Sequence, residues 1–193
     1  MVILTKPLPC VKQFICMLII ATVMPIFTIS QRLDCSPCID RSSYSVKTIV
    51  HGVSSDPFWQ QIQSSAIQSA KDMGVNLEFS LYKEYSEKQM VNDIEAVASQ
   101  RPDALIISIP SQKIADAIEA VIASKVPVFG INVGDQVAIS SGVLDFVGLD
   151  QGEGGKKSAE TFLALRQGDI GQALFINTDS ENFAYAERYA GKQ

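Results

Sequence analysis

Six side chains able to hold a small polyhydroxylated molecule stand at or just beyond the ends of short apolar runs: Asp56, Phe58, Trp59, Ser108, Asn132 and Asp150. Carboxylate, amide and hydroxyl groups can hydrogen-bond adjacent ligand hydroxyls, and aromatic faces cover the apolar C–H surface of a ring. Ser54, Ser55, Pro110, Asp135 and Gln151 stand beside them and extend the same polar rim. Phe58 and Trp59 are successive positions of a predicted helix, about 100° apart around its axis, so both cannot point into one core. Trp59 is assigned to the mouth of the site, and Phe58 to a position that serves both binding and packing.

Other chemistries find less support. Gly152, Gly154 and Gly155 lack the strand, G-x-G-x-x-G and helix order of a dinucleotide loop and the lysine–hydroxyl pair of a P-loop. There is no nucleophile elbow, no cluster of metal-ligand spacing and no acid–base pair at a strand end beyond isolated aspartates. Catalysis, a cofactor and a bound metal are therefore not expected. His51, the one histidine, falls inside an apolar run and reads as a hydrogen-bonded core residue. Cys35-Ser36-Pro37-Cys38 lies in a polar linker before the first strand instead of opening a helix, so a local disulfide or two ordinary thiols fits better than redox catalysis.

Positioning such a rim requires an ordered series of strand ends. Thr48–Val53 is a short β-branched run of the kind a parallel sheet buries on both faces. Asp56 as N-cap, Pro57 at the first helical position and Gly74 as a stop delimit the following helix, with Phe58, Ile62, Ala66, Ala70 and Met73 as its apolar face. Val75–Phe79 is the second strand, and Ser86 with Gln89 forms a capping box ahead of Met90, Ile94 and Val97. Ala104–Ile109, capped onward by Ser111, then Pro127–Ile131 and Val143–Leu149 continue the strands; Gln151–Leu165 is a helix and Ala173–Ile176 opens a sixth strand. Strands alternating with helices of this length predict an α/β fold with a doubly wound parallel sheet. Open sheets of this kind place ligands at the carboxyl ends of their strands, where every rim residue above falls.

The chain of 193 residues is 47% apolar with net charge −5, and its sixteen basic residues form no stripe, which excludes the electrostatic footprint of a nucleic-acid binder. Lys6 and Lys12 precede the uncharged run Phe14–Ile29, and Thr28-Ile29-Ser30 is a small-residue cleavage site, so residues 1–30 read as a secretory signal peptide. A run of this length is short for a membrane span of about 20 residues. Residues 31–45 then form a linker.

Ser54-Ser55-Asp56-Pro57-Phe58-Trp59, Pro102-Asp103-Ala104-Leu105-Ile106-Ile107, Val126-Pro127-Val128-Phe129-Gly130-Ile131-Asn132 and Phe146-Val147-Gly148-Leu149-Asp150, in that order and spacing, resemble the type I periplasmic sugar-binding proteins of ABC transporters. The nearest flavour is the simple-sugar branch, whose first loop similarly reads histidine-glycine, a small polar run and Asp-Pro-Phe-Trp. The resemblance implies two lobes joined by hinge strands, closing on a monosaccharide or similar small polyol and handing it to a membrane permease. It makes Asp56, Phe58, Trp59 and Asn132 ligand contacts and brings Asn182 and Arg188 near the ligand. Val133 stands where ribose-type members place an arginine. It also implies an N-terminal lobe over residues 46–168, with 169–193 as the hinge and the start of an incomplete second lobe. The expected function is secreted or periplasmic solute binding; a sugar-sensing receptor ectodomain is the alternative use of the same fold.

Overall fold

The computed structural model describes residues 41–168, 171–177 and 179–191. Residues 1–30, expected to be a secretory signal, and Cys35 and Cys38 lie outside the described residues. Five strands, β1 (Ser45–Val53), β2 (Asn76–Tyr82), β3 (Ala104–Ile107), β4 (Val128–Asn132) and β5 (Asp145–Gly148), alternate with α1 (Pro57–Met73), α2 (Glu87–Gln100), α3 (Gln112–Ala123) and α4 (Asp135–Ser140). They are followed by α5 (Gln151–Leu165) and α6 (Phe183–Gly191). All neighbouring strands pair in parallel, in the order β2-β1-β3-β4-β5. This is the flavodoxin-like doubly wound sheet expected from the alternation, and the order in which strands are added reverses between β1 and β3.

The core follows the apolar periodicity. Met90, Ile94 and Val97 of α2, Ile114, Ile118 and Val121 of α3, and Leu105, Ile107 and Val128 of the sheet are all buried in one cluster. Local signals set the ends of the elements. The Asp56 carboxylate accepts the Phe58 N–H at 2.9 Å, and Gly74 closes α1 in the left-handed region with φ +70°. Ser86 Oγ accepts from Gln89 N.

Three expectations are corrected and one element is added. Ser111 does not cap α3 with its side chain; its hydroxyl donates to Glu87 Oε1 and joins the starts of α2 and α3. Asp135–Ser140, unassigned from the sequence, is a short helix. On α1 the buried aromatic is Trp59, whereas Phe58 and Met73 are half exposed. Trp59 is in line with Ile62, Ala66 and Ala70 at helical spacing; Phe58 is one step round the helix. Finally, Ala173–Ile176 is not a strand, because backbone becomes a strand only where a neighbour takes its hydrogen bonds, and among the described residues none does. Leu174 and Ile176 remain 87% and 73% exposed.

The last two helices pack on each other through glycine. A Cβ on Gly155 would stand 2.1 Å from the Arg188 carbonyl oxygen, and one on Gly191 would meet the Gly152 carbonyl. Gly155, one of the three glycines that invite a phosphate-loop reading, and Gly191 thus allow two helix backbones to touch.

Candidate functional site

The carboxyl ends of β1, β3 and β4 meet the start of α5 and residues 179–188 along one edge of the sheet. His51 is near the end of β1, and its backbone N–H donates to Ser108 Oγ at 3.0 Å, across the point where the sheet order reverses. Its Nδ1 lies 2.8 Å from the same hydroxyl. The imidazole also meets two aromatic rings edge on, Trp59 at 5.2 Å and Tyr85 at 6.1 Å between centroids. Burial lowers the His51 pKa to about 4, against the opposing pull of the Asp179 and Asp56 carboxylates. The ring is therefore neutral at pH 7.

Trp59 lies below the rim surface instead of at its mouth. The indole covers Gly52 so closely that a Cβ there would fall 2.3 Å from its Cγ, so the glycine is required by the stacked side chain. Phe58, 52% exposed, packs edge on against Trp59 at 5.1 Å and is the aromatic that faces outward.

Gln151 is the connector between the sheet and the last helices. Fully buried, it donates from Nε2 to the Asn132 carbonyl at 3.2 Å and accepts from Arg188 Nε at 2.5 Å. Asn132 and Arg188 are thus brought to opposite ends of one amide. Asn132 itself takes a left-handed backbone with φ +69°. The Phe183 N–H donates to the Pro110 carbonyl at 2.9 Å, seating the start of α6 on the loop after β3.

The other expected residues divide between rim and scaffold. Ser108 is wholly buried as the partner of His51. Asp56 is partly exposed and caps α1. Asp150 is exposed and caps α5 by accepting from Glu153 N at 2.9 Å. Asn182 is buried, with Oδ1 accepting from Ala184 N at 3.0 Å. The sequence reading passed over Glu187, whose pKa is raised by burial and then by the Asp135 and Asp150 carboxylates, and Tyr85, whose pKa is raised to about 12 by burial, Glu87 and Asp179. Neither carries a local sequence signal, since both reach the rim only through helix and loop packing. Asp135 Oδ1 is buried without a hydrogen-bond partner among the described residues, a polar atom that a ligand hydroxyl would satisfy.

Among the described residues no group of acidic, histidine or cysteine side chains is arranged to hold a metal ion. The arrangement suits reversible capture through hydrogen bonds and an aromatic contact. Residues 47–192 match the family model described as "Periplasmic binding protein domain". The chain belongs to this family. Solved proteins with the same architecture include an ABC sugar transporter periplasmic binding protein from Legionella pneumophila, 23% identical with TM-score 0.71, covering 77% of this chain and 55% of its own. A carbohydrate transporter from Acidothermus cellulolyticus, solved with myo-inositol, is 22% identical with TM-score 0.69, over 77% of this chain and 51% of its own. A periplasmic ribose ABC transporter protein from Conexibacter woesei is 25% identical with TM-score 0.62, over 77% and 48%. The chain spans about half the length of these solved proteins, and no curated protein sequence matches it. In this binding domain the rim occupies the end of the sheet where α/β folds place ligands.

Proposed function

We propose that the rim binds a monosaccharide or a similar small polyol, as part of solute capture for ABC-type uptake outside the cytoplasm. The observation that carries this reading is the Asn132–Gln151–Arg188 bridge, in which the buried Gln151 amide ties the main-chain carbonyl of Asn132, at the end of β4, to the Arg188 guanidinium of α6. Asp56, Asn132, Asp150 and Arg188 offer donors and acceptors for hydroxyl groups, with Phe58 against the ring. Ser108, Trp59 and Asn182 are all buried, and of the three Trp59 packs edge on against Phe58. Val133 is buried directly after Asn132, so no second guanidinium reaches the rim from β4, which favours a neutral polyol over a phosphorylated or acidic sugar. Family membership and the solved relatives' inositol and ribose systems support the class of ligand, and a membrane permease is the expected partner.

The test is a thermal-shift screen of the chain against hexoses, pentoses, pentitols, inositols, nucleosides and sugar phosphates, followed by calorimetry. A ligand that binds only the folded state raises the melting temperature by mass action. The expected result is a saturable rise with one or more neutral polyols and none with sugar phosphates. A cooperative melt that no polyol moves overturns the proposal.

A further inference from the structure

His51 has a hydrogen-bonding capacity that the fold uses only in part. Ser108 Oγ accepts the His51 backbone N–H, and the hydroxyl, wholly buried, has one proton of its own to place. Among the described residues Nδ1 of His51, 2.8 Å away, is the acceptor it reaches. The lone pair of Nδ1 is therefore occupied and the ring proton belongs on Nε2. Protonating both nitrogens would turn Nδ1 into a donor and take from the buried serine proton the acceptor it has in the neutral ring.

Nε2–H is then a fixed donor for which no acceptor stands among the described residues, although His51 is mostly covered. Leaving such a donor unpaired costs about 1–3 kcal/mol, so a core histidine would be expected to find a partner. The position of the ring explains the exception. It lies at the switch point of the sheet, held on its Nδ1 edge by Ser108 and at its sides by Trp59 and Tyr85, and part of its surface stays open. The charged and titratable groups facing it are Asp56 from the loop before α1, Tyr85 from the loop before α2 and Asp179 from the segment before α6.

We propose that His51 is a ligand-binding residue of this cleft, a neutral imidazole that donates Nε2–H to a hydroxyl or ring oxygen of the bound polyol. The assignment rests on the polyol reading and refines it: the ligand presents an acceptor oxygen to His51 beside hydroxyls that the Asp56 and Asp179 carboxylates can accept from. Trp59 and Ser108 act through His51 as positioning residues. Protonation of the ring removes the Ser108 geometry, so affinity is retained above about pH 5 and falls as the pH drops through about 4.

The experiment uses the full chain with myo-inositol, D-arabinose and D-ribose as probes, compared with His51→Asn and His51→Gln. Asparagine places its amide near the position of Nδ1, keeping a bond to Ser108 without reaching the cleft; glutamine extends an N–H donor toward the position of Nε2. The expected result is a loss of about tenfold in affinity for His51→Asn at an unchanged melting temperature, with recovery in His51→Gln. Wild-type affinity in His51→Asn overturns the assignment while leaving the polyol reading standing. Should neither variant fold, nitrogen-15 NMR of the wild type decides, since the chain has a single histidine. The Nε2–H tautomer with an Nε2 signal that moves on probe binding supports the proposal, and an Nδ1–H tautomer or an unmoved signal overturns it. Binding of none of the probes by wild type, with no neutral polyol active in the wider screen, is instead the failure of the polyol reading, and the His51 assignment falls with it.

Discussion

The five-stranded lobe and the α5–α6 unit both carry apolar sequence and bury it very differently. In the lobe, Met90, Ile94, Leu105, Ile107, Ile114 and Ile118 have no exposed surface. In the α5–α6 unit, Leu163, Leu165, Leu174 and Ile176 are all more than 60% exposed, and a cavity of about 510 Å³ lies between α5, residues 173–175 and α6. The first region has a sheet with helices against it. The second has two helices and a segment, 171–177, that among the described residues joins no sheet, so its apolar side chains find little covering surface. Apolar composition stabilises only where a second layer is present to remove it from water.

The largest expected effect comes from the junction of lobe and rim. Trp59→Ala removes a buried indole from over Gly52 and should cost about 3–5 kcal/mol in a denaturant melt. Phe58→Ala, at an exposed position, should stay within about 0.5 kcal/mol of wild type while weakening polyol binding. Equal costs for the two would erase the distinction between buried and outward-facing aromatic.

The next effect is electrostatic and also belongs to the lobe. His51 has a folded pKa of about 4 against an ordinary 6.5, so as the pH falls the unfolded chain takes up the proton first. Its contribution is complete above pH 6.5 and is lost between 6.5 and 4, an amount on the order of 3 kcal/mol. Melts at several pH values should show this slope in wild type and a shallower one in His51→Asn. Identical slopes would mean that the imidazole is not held neutral by the fold.

Gly155→Ala sharpens the comparison from the other side. Its methyl group would collide with the Arg188 carbonyl, so α6 must shift at a cost of about 1–3 kcal/mol confined to that unit. Hydrogen exchange should speed up at Phe183, whose amide is seated on Pro110, and stay slow in β3. Matching acceleration in both would show one cooperative body in place of two unequal ones. The smallest effect is Leu174→Ser, expected within about 0.5 kcal/mol because the side chain is 87% exposed. A loss of several kcal/mol would place Leu174 in a covered position.

Much of the lobe is legible in the sequence because its signals are local. Asp56 and Pro57 start α1, Gly74 ends it, and the period of Met90, Ile94 and Val97 sets the buried face of α2. The strand-and-helix alternation sufficed for a doubly wound parallel sheet, and strand ends in that sheet converge on one edge by topology alone. The residues of the candidate site were readable as members of that edge, not as contacts. Phe58 and Trp59 differ by one helical step, and which of them is buried depends on where Gly52 brings β1 under α1.

The sequence by itself determined the order of elements, their caps and the side of the sheet on which polar groups collect, since these follow from propensity, period and connection length. Tertiary structure alone decided that Ser108 faces His51, that Gln151 joins Asn132 to Arg188, and that Gly155 and Gly191 serve helix contact. It also decided that Ala173–Ile176, apolar enough for a strand, is not one. Each of these depends on a partner distant in the chain, and the periodicity of a segment contains no information about which partner arrives or whether one does.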